Sequence, residues 1–167
     1  PVDRRQRQMC IRDRYIAREA AKKGLKSKVP LMVTPGSEVT RATIERDGYL
    51  KDLESIGATV LANACGPCIG QWKRDDIGEG EINTIVSSYN RNFPARNDGN
   101  KETLSFIGSP ESVIGLALGG SLDFDFINDS LMNDSGEEVK LTPPVAEELP
   151  SEGLSLIHIS EPTRLQQ

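Results

Sequence analysis

Short apolar runs bounded by turn residues recur along the chain up to about residue 107. Continuous apolar runs of this length are typical of strands in a sheet that is covered on both faces. We expect one strand at residues 29–34 (VPLMVT), and buried strands at residues 58–62 (ATVLA), 82–88 (INTIVSS) and 104–107 (LSFI).

Segments of helical composition separate these runs. A helix is expected over Tyr15–Lys23, where a glycine follows as a natural stop. Ser37 is a suitable N-cap for a second helix, helical composition continues over residues 49–56, and Pro110 begins the last helix. Strands that alternate with helices indicate an α/β fold, which we expect to be a layered α/β/α domain with a parallel or mixed sheet.

The chain changes character after Gly120. Residues 122–126 (LDFDF) alternate in polarity like a half-exposed strand, and the segments that follow are acidic and rich in proline. The aspartates of this region lack the glycine and the closing glutamate of a calcium-binding loop. We therefore assign residues 15–121 to one α/β domain, and residues 122–153 to an irregular acidic extension that leads towards another domain.

Length and composition exclude several classes of protein. The chain has 167 residues, of which 37% are hydrophobic and 27% charged, and three are cysteines. No apolar run approaches the roughly 18–20 residues that a membrane-spanning helix requires, so no membrane association is expected. Collagen, a coiled coil and a secreted disulfide scaffold are excluded as well.

The two ends of the chain do not read as natural protein sequence. Residues 9–14 (MCIRDR) can be encoded by a DNA string whose reverse complement encodes residues 154–159 (LSLIHI), as a short inverted repeat would. Both ends also resemble the translated adapter of transposase-based sequencing libraries. We expect residues 1–14 and 154–167 to be translated adapter with its flanks, disordered in the protein, so that Cys10 and His158 have no function.

Charge argues against a nucleic-acid partner. The whole chain has a formal net charge of −5. Without residues 4–14 and 154–164, which carry six arginines and two acidic residues, the net charge is −9. A domain this acidic is a poor candidate for binding the phosphate backbone of a nucleic acid.

Two of the cysteines, Cys65 and Cys68, form a Cys-x-x-Cys motif directly after the second predicted strand. Cysteines at this spacing hold metals or clusters, or carry redox chemistry. The letters CGPC also occur in thioredoxins, where a reactive thiolate attacks disulfides, but thioredoxins carry a tryptophan before the first cysteine and Ala64 stands here. A thioredoxin-like oxidoreductase and a pair of buried unpaired cysteines are the alternatives that the motif alone leaves open.

Residues 60–72 (VLANACGPCIGQW) closely resemble the cluster-binding segment of the aconitase family. The resemblance continues in the same order through residues 34–49 (TPGSEVTRATIERDGY), 83–93 (NTIVSSYNRNF) and 95–98 (ARND), and covers essentially all of residues 15–153. The mitochondrial type is the most similar, since the related isopropylmalate and homoaconitate isomerases lack the full CGPCIGQW and SYNRNF sequences. The resemblance implies the fold of the third aconitase domain.

The resemblance also implies a cofactor. Aconitases hold a four-iron four-sulfur cluster (4Fe-4S) by three cysteine thiolates, and Cys65 and Cys68 match two of these ligands. The third ligand would lie upstream of residue 15, and Cys10 is not that ligand because its neighbours lack the family pattern. The iron without a protein ligand would act as a Lewis acid on the substrate.

Three further residues match substrate-site positions of the family. Asn90 matches an asparagine near the cluster, and Arg91 and Arg96 match arginines that contact the substrate, whose carboxylates suit the planar guanidinium fork. Pro94 and Ala95 stand where the family has threonine and glycine.

The function implied is that of a hydro-lyase of the mitochondrial matrix, with a monomeric parent, that converts citrate to isocitrate through cis-aconitate. The chain would be an internal fragment of that enzyme without a transit peptide. It would be inactive alone, because the family's catalytic residues belong to other domains and none is assigned here. The alternatives are a homoaconitate or isopropylmalate isomerase, a CGPC thiol-redox module, a two-cysteine metal module, and a relative of the RNA-binding, iron-regulatory aconitases.

Overall fold

The computed structural model describes residues 14–62, 72–88 and 93–142. None of the helices within these ranges is long and apolar enough to cross a membrane. All the helices expected from the sequence are confirmed, with ends that agree within two residues. Their bounds are residues 14–22 (α1), Glu38–Arg46 (α2), Tyr49–Ser55 (α3) and Pro110–Gly119 (α4).

Local capping explains where α2 and α4 begin and where α4 ends. Ser37 Oγ accepts a hydrogen bond from Thr40 N (3.1 Å), and Ser109 Oγ accepts one from Ser112 N (3.3 Å). Each bond satisfies a backbone N–H at a helix start that has no partner within the helix. Gly120 caps the carboxyl end of α4, and its φ of 76° lies in the left-handed region that favours glycine.

The described strands form two parallel pairs and one antiparallel hairpin, and each is a two-stranded sheet. The parallel strands, of which the first two are joined through α2 and α3, confirm the α/β class. The parallel pairs are β1 (Leu31–Val33) with β2 (Ala58–Val60) and β3 (Asn83–Ser87) with β4 (Thr103–Ile107), and the hairpin is β5 (Leu131–Met132) with β6 (Glu138–Val139).

The larger apolar cluster packs α1, α3 and α4 around the β1–β2 pair. Ile56, which follows α3, is 0% exposed, and Leu118 of α4 is 1% exposed. Burial on this scale fixes the β1–β2 pair between its helices.

Leu118→Ala is expected to lower the free energy of unfolding by about 2–5 kcal/mol, because it removes buried methyl groups and leaves a cavity in the cluster. Urea unfolding followed by circular dichroism measures the change. Leu122→Ala is the matched control, since Leu122 is 49% exposed, and a change within about 0.5 kcal/mol is expected there. Equal losses for the two variants would contradict the packing described here.

The β3–β4 pair is less buried than the sequence predicts. The strand expected at residues 104–107 is confirmed as β4, but its expected burial is wrong, because Leu104, Phe106 and Ile107 are 53%, 47% and 49% exposed. Residues 83–88 are largely half-buried. In the described part of the chain, α4 contacts the pair through β3, and a turn near residue 97 contacts β4 through Ser105. These neighbours leave the apolar side chains of β4 largely uncovered.

The strand predicted at residues 122–126 is wrong, because these residues form turns. Phe124 and Phe126 lie against glycines of α4 instead. A Cβ atom on Gly119 would come within 2.4 Å of Phe124 Cγ, and one on Gly115 within 2.8 Å of Phe126 Cγ. The alternating apolar residues therefore pack against a helix. The polarity pattern alone does not distinguish such a segment from a strand with one buried face.

Part of the extension predicted to be irregular is regular and packs against the α/β unit. The β5–β6 hairpin lies within it, and Leu131 and Leu141 belong to the same apolar cluster as α1 and α4. Thr142 N also donates a hydrogen bond to Glu19 Oε2 of α1 (3.1 Å). The domain boundary after residue 121 stays a prediction.

Helix α1 includes the last residue of the segment that we attribute to adapter. The Arg14 guanidinium carbon lies 4.0 Å from the ring centroid of Tyr49, and Arg14 Nε lies 3.4 Å from Asp52 Oδ2. The described part of α1 thus begins at residue 14, one residue before the predicted start of the natural sequence at residue 15. The origin of residues 1–14 stays a prediction.

Candidate functional site

The segments that carry the predicted site residues leave the carboxyl ends of parallel strands. Val33 of β1 is paired with Val60 of β2, and Leu61 N donates a hydrogen bond to Val33 O (2.8 Å), so these two ends lie side by side. The cysteine motif follows β2, and the Asn90–Arg91 segment follows β3. Open α/β sheets bind their ligands outside this edge.

Four of the five predicted site residues lie outside the described ranges, and their roles stay predictions: Cys65, Cys68, Asn90 and Arg91. The structure describes the fifth, Arg96, within residues 93–99, which we call the arginine turn. It also describes residues 72–76, the segment that follows the cysteine motif.

Arg96 is half-buried in the arginine turn. Its backbone N–H donates to Phe93 O (3.0 Å), and its guanidinium carbon lies 5.1 Å from the ring centroid of Phe93, which orients the side chain. Its Nε atom is buried and has no hydrogen-bond partner within the described ranges. A buried donor without a partner is costly, and a carboxylate is the group that would satisfy it best.

Ala95 places backbone strain directly before Arg96. Its φ of 62° lies in the left-handed region, where an L-residue with a side chain is disfavoured by roughly 1–2 kcal/mol. The family resemblance leads us to expect glycine at this position, and the observed φ explains why glycine suits it.

Ala95→Gly is expected to leave the free energy of unfolding unchanged or to raise it by up to about 1 kcal/mol, because relief of this strain outweighs the added chain entropy of glycine. Ala42→Gly in the middle of α2 is the matched control, and it is expected to lower stability by about 1 kcal/mol. Thermal unfolding of both variants measures the difference. A loss at position 95 as large as that at position 42 would contradict the left-handed conformation.

Asn97 joins the arginine turn to the segment after the cysteine motif. Its backbone O accepts a hydrogen bond from Trp72 N (3.3 Å), and its Nδ2 donates to Ser105 Oγ of β4 (3.3 Å). The residue is 4% exposed, and its Oδ1 atom is buried with no partner in the part of the chain that the structure describes. The turn is therefore held between residues 72–76 and β4.

Arg74 links the same segment to β3 and to the arginine turn. Its Nη1 donates to Asn83 Oδ1 (2.7 Å) and lies 3.5 Å from Asp98 Oδ2, and its Nε and Nη2 donate to the Asp76 carboxylate (3.2 and 2.8 Å). Thr103 Oγ1 donates a further hydrogen bond to Asp98 Oδ2 (2.8 Å). The side chains of Arg74 and Asp98 are 12% and 4% exposed, so this ion pair is largely shielded from water.

These contacts shift the pKa values of two groups. The hydrogen bond to Asp76 raises the pKa of Arg74 above its ordinary value, and the negative charges of Asp76 and Asp98 raise it further, whereas burial of the guanidinium lowers it. The hydrogen bond from Arg74 lowers the pKa of the Asp76 carboxyl. Arg74 is therefore a permanent cation beside Asp98.

No pattern in the sequence predicts a role for Arg74. The residue stands between Lys73 and Asp75 in a charged run of the kind that usually covers a solvated surface. Its partners Asn83 and Asp98 are distant in the sequence, so no local pattern relates the three residues. Of these three residues, Asn83 and Asp98 lie in segments that resemble the family, as the first residue of NTIVSSYNRNF and the last residue of ARND, whereas Arg74 lies in neither segment.

Comparison with known proteins identifies the family. The model of the aconitase family (aconitate hydratase) matches residues 4–120. This chain belongs to the aconitase family. It is 53% identical over 142 residues to a probable mitochondrial aconitate hydratase of Dictyostelium discoideum and 55% identical over 142 residues to the mitochondrial aconitate hydratase of Saccharomyces cerevisiae. It is also 54% identical over 145 residues to an aconitase-ribosomal protein bL21m fusion protein of Schizosaccharomyces pombe.

The aconitase relatives are much longer than this chain. The alignments with the Dictyostelium and Saccharomyces proteins cover 85% of this chain and 18% of each relative, and the alignment with the fusion protein covers 86% and 16%. The chain thus corresponds to less than a fifth of the length of these aconitases.

The extent of the aconitase match bears on two expectations. It contains the CGPC motif in its aconitase setting, which decides against a thioredoxin-like protein. It also begins at residue 4 and so includes residues that we attribute to adapter.

Proposed function

We propose that the chain is part of an aconitate hydratase that interconverts citrate and isocitrate through cis-aconitate. The family match over residues 4–120 carries the proposal, and the identity of 53% and 55% to two mitochondrial aconitate hydratases supports it. Because the chain spans 18% of those relatives, the activity belongs to a longer protein. That protein is proposed to be a monomer of the mitochondrial matrix, with no nucleic-acid or membrane partner.

Cys65 and Cys68 would hold a four-iron four-sulfur cluster together with a third cysteine. The chemistry of the donor set fits, because two thiolates at this spacing are the soft ligands that cluster irons prefer. When bound, the cluster would supply Lewis-acid assistance to the departure of the substrate hydroxyl group. The motif follows β2 at the sheet edge where α/β proteins bind ligands, which supports the assignment.

Arg96 would bind a carboxylate of the substrate, with Arg91 and Asn90 from the segment after β3. The support lies in the unpartnered, buried Nε of Arg96 and in the contact with Phe93 that orients its guanidinium. Citrate carries carboxylates that a planar guanidinium can bind through two parallel hydrogen bonds. The roles of Arg91 and Asn90 rest on the family resemblance.

Activity of the full-length protein that contains residues 15–153 tests the proposal. Purified without oxygen, it is expected to convert citrate, isocitrate and cis-aconitate, whereas the 167-residue chain alone is expected to be inactive. Conversion of isopropylmalate or homoaconitate in place of citrate would establish the related isomerase instead. Reduction of insulin by the chain alone would point to thiol-redox chemistry and contradict the proposal.

We also propose that residues 1–14 and 154–167 are translated adapter. The reverse-complement relation between the codons of residues 9–14 and 154–159 supports this origin. Sequencing of the parent transcript by a different library chemistry is expected to replace both ends with codons of aconitase type. Persistence of both ends in the transcript would overturn the proposal.

A further inference from the structure

We propose that Arg74 is a positioning residue, whose ion pair with Asp98 holds the arginine turn in place against the segment that follows the cysteine motif. Arg96 lies two residues before Asp98 within that turn, so a shift of Asp98 also shifts the guanidinium of Arg96. The inference rests on the proposed function, in which Arg96 binds substrate.

Two contacts join residues 72–76 to the arginine turn. Trp72 N donates to Asn97 O (3.3 Å), and Arg74 Nη1 lies 3.5 Å from Asp98 Oδ2. The first contact is between backbone atoms and the second between side chains, so together they restrain both the position and the tilt of the turn. Because Trp72 follows Cys68 closely in the sequence, these contacts relate the arginine turn to the end of the cysteine motif.

Arg74 is itself fixed on three sides. Its Nε and Nη2 form a fork with Asp76, its Nη1 reaches Asn83 at the first residue of β3, and its guanidinium carbon lies 5.2 Å from the ring centroid of Trp72. A planar guanidinium held at each of its nitrogens cannot rotate without breaking a contact. The contacts of Arg74 therefore hold Asp98 at a fixed distance from the first residue of β3.

Asp98 depends on these contacts because it is nearly inaccessible to water. Its side chain is 4% exposed, and its carboxylate also accepts hydrogen bonds from Thr103 Oγ1 (2.8 Å) and Asn100 N (3.1 Å). A buried carboxylate is strongly destabilised when its cation is removed. Loss of the Arg74 contact is therefore expected to displace Asp98 and the residues beside it.

The test uses the full-length holoenzyme and the variant Arg74→Lys. Lysine keeps a positive charge beside Asp98, which protects folding, but its single nitrogen cannot replace the three guanidinium nitrogens that contact Asp76, Asn83 and Asp98. We expect KM for citrate to rise about tenfold with kcat and iron content unchanged, since even a 1 Å misplacement of a binding group can cost up to about 10²-fold. Asp98→Asn is expected to raise KM in the same way, and the double variant to be no worse than the poorer single variant.

Arg46→Ala is the matched control, because Arg46, the last residue of α2, makes the same kind of fork with Asp47 (2.7 and 3.0 Å). It is expected to leave KM unchanged. The inference is overturned if Arg74→Lys lowers the unfolding temperature but leaves KM as it is in Arg46→Ala, since Arg74 would then serve stability alone. If the unsubstituted protein does not turn over citrate, the proposed function fails first and the positioning role fails with it, so the two failures are distinguishable.

Discussion

Cys65→Ser is expected to slow citrate isomerisation by the full-length protein at least about 100-fold, because Lewis-acid assistance worth several kcal/mol is lost and each 1.36 kcal/mol corresponds to a factor of ten. A serine hydroxyl has nearly the size of the thiol, but it is a poor match for the soft ligands that an iron–sulfur cluster requires. The ultraviolet absorbance of cis-aconitate, formed from citrate or isocitrate, measures the initial rate.

Ser55→Ala is the control for this experiment. Ser55 is an exposed residue at the end of α3, so the rate is expected to be unchanged. A Cys65→Ser protein that isomerises citrate as fast as the Ser55→Ala protein would contradict the cluster role assigned to Cys65.

Arg96→Gln is expected to raise KM for citrate by about 10- to 100-fold, since a hydrogen bond to a charged group is worth about 1.5–3 kcal/mol. Glutamine keeps an N–H donor at the level of Nε, but it is shorter, and it loses the charge and the planar fork that bind a carboxylate. The side chain also leaves the face of Phe93, which orients the guanidinium in this structure. Steady-state kinetics with citrate and with isocitrate measure the change, and the iron content is expected to be unaffected.

Arg41→Gln provides the control for the loss of one arginine charge. Arg41 is exposed on α2, and its substitution is expected to leave KM unchanged. An Arg96→Gln protein with the same KM as this control would show that Arg96 does not contact the substrate.

Local chemistry made the helices predictable. Ser37 supplies an N-cap whose hydroxyl reaches the N–H of Thr40, and Pro110 and Gly120 mark the start and the end of α4. These signals act within one turn of the chain, so they do not depend on the rest of the fold. The α/β class followed from the alternation of such helices with apolar runs.

Contacts between distant segments could not be predicted in the same way. The alternation at residues 122–126 indicates a strand, yet Phe124 and Phe126 lie against Gly119 and Gly115 of α4. Polarity reports whether a side chain is buried, not what buries it. For the same reason the apolar run of β4 predicts burial, whereas Leu104 is 53% exposed among the described residues.

In the candidate site, too, residues in a recognisable local segment were predictable and residues that depend on distant contacts were not. Arg96 was found because its string resembles a family motif, and the structure adds the contact with Phe93 that orients it. Arg74 could not be found, because its role depends on Asn83 and Asp98, which the fold alone brings to it. The left-handed φ of Ala95 supplies a physical reason for the glycine that the family resemblance leads us to expect at that position.

Iron and acid-labile sulfide per chain, measured in the full-length protein after purification without oxygen, show whether Cys65 and Cys68 hold a 4Fe-4S cluster. About four irons and four sulfides per chain are expected in the unsubstituted protein and in Ser55→Ala, as a 4Fe-4S cluster requires. Both are expected to be lost in the double variant Cys65→Ser/Cys68→Ser. A double variant that retains the full complement of iron and sulfide would contradict the assignment of these two cysteines as cluster ligands.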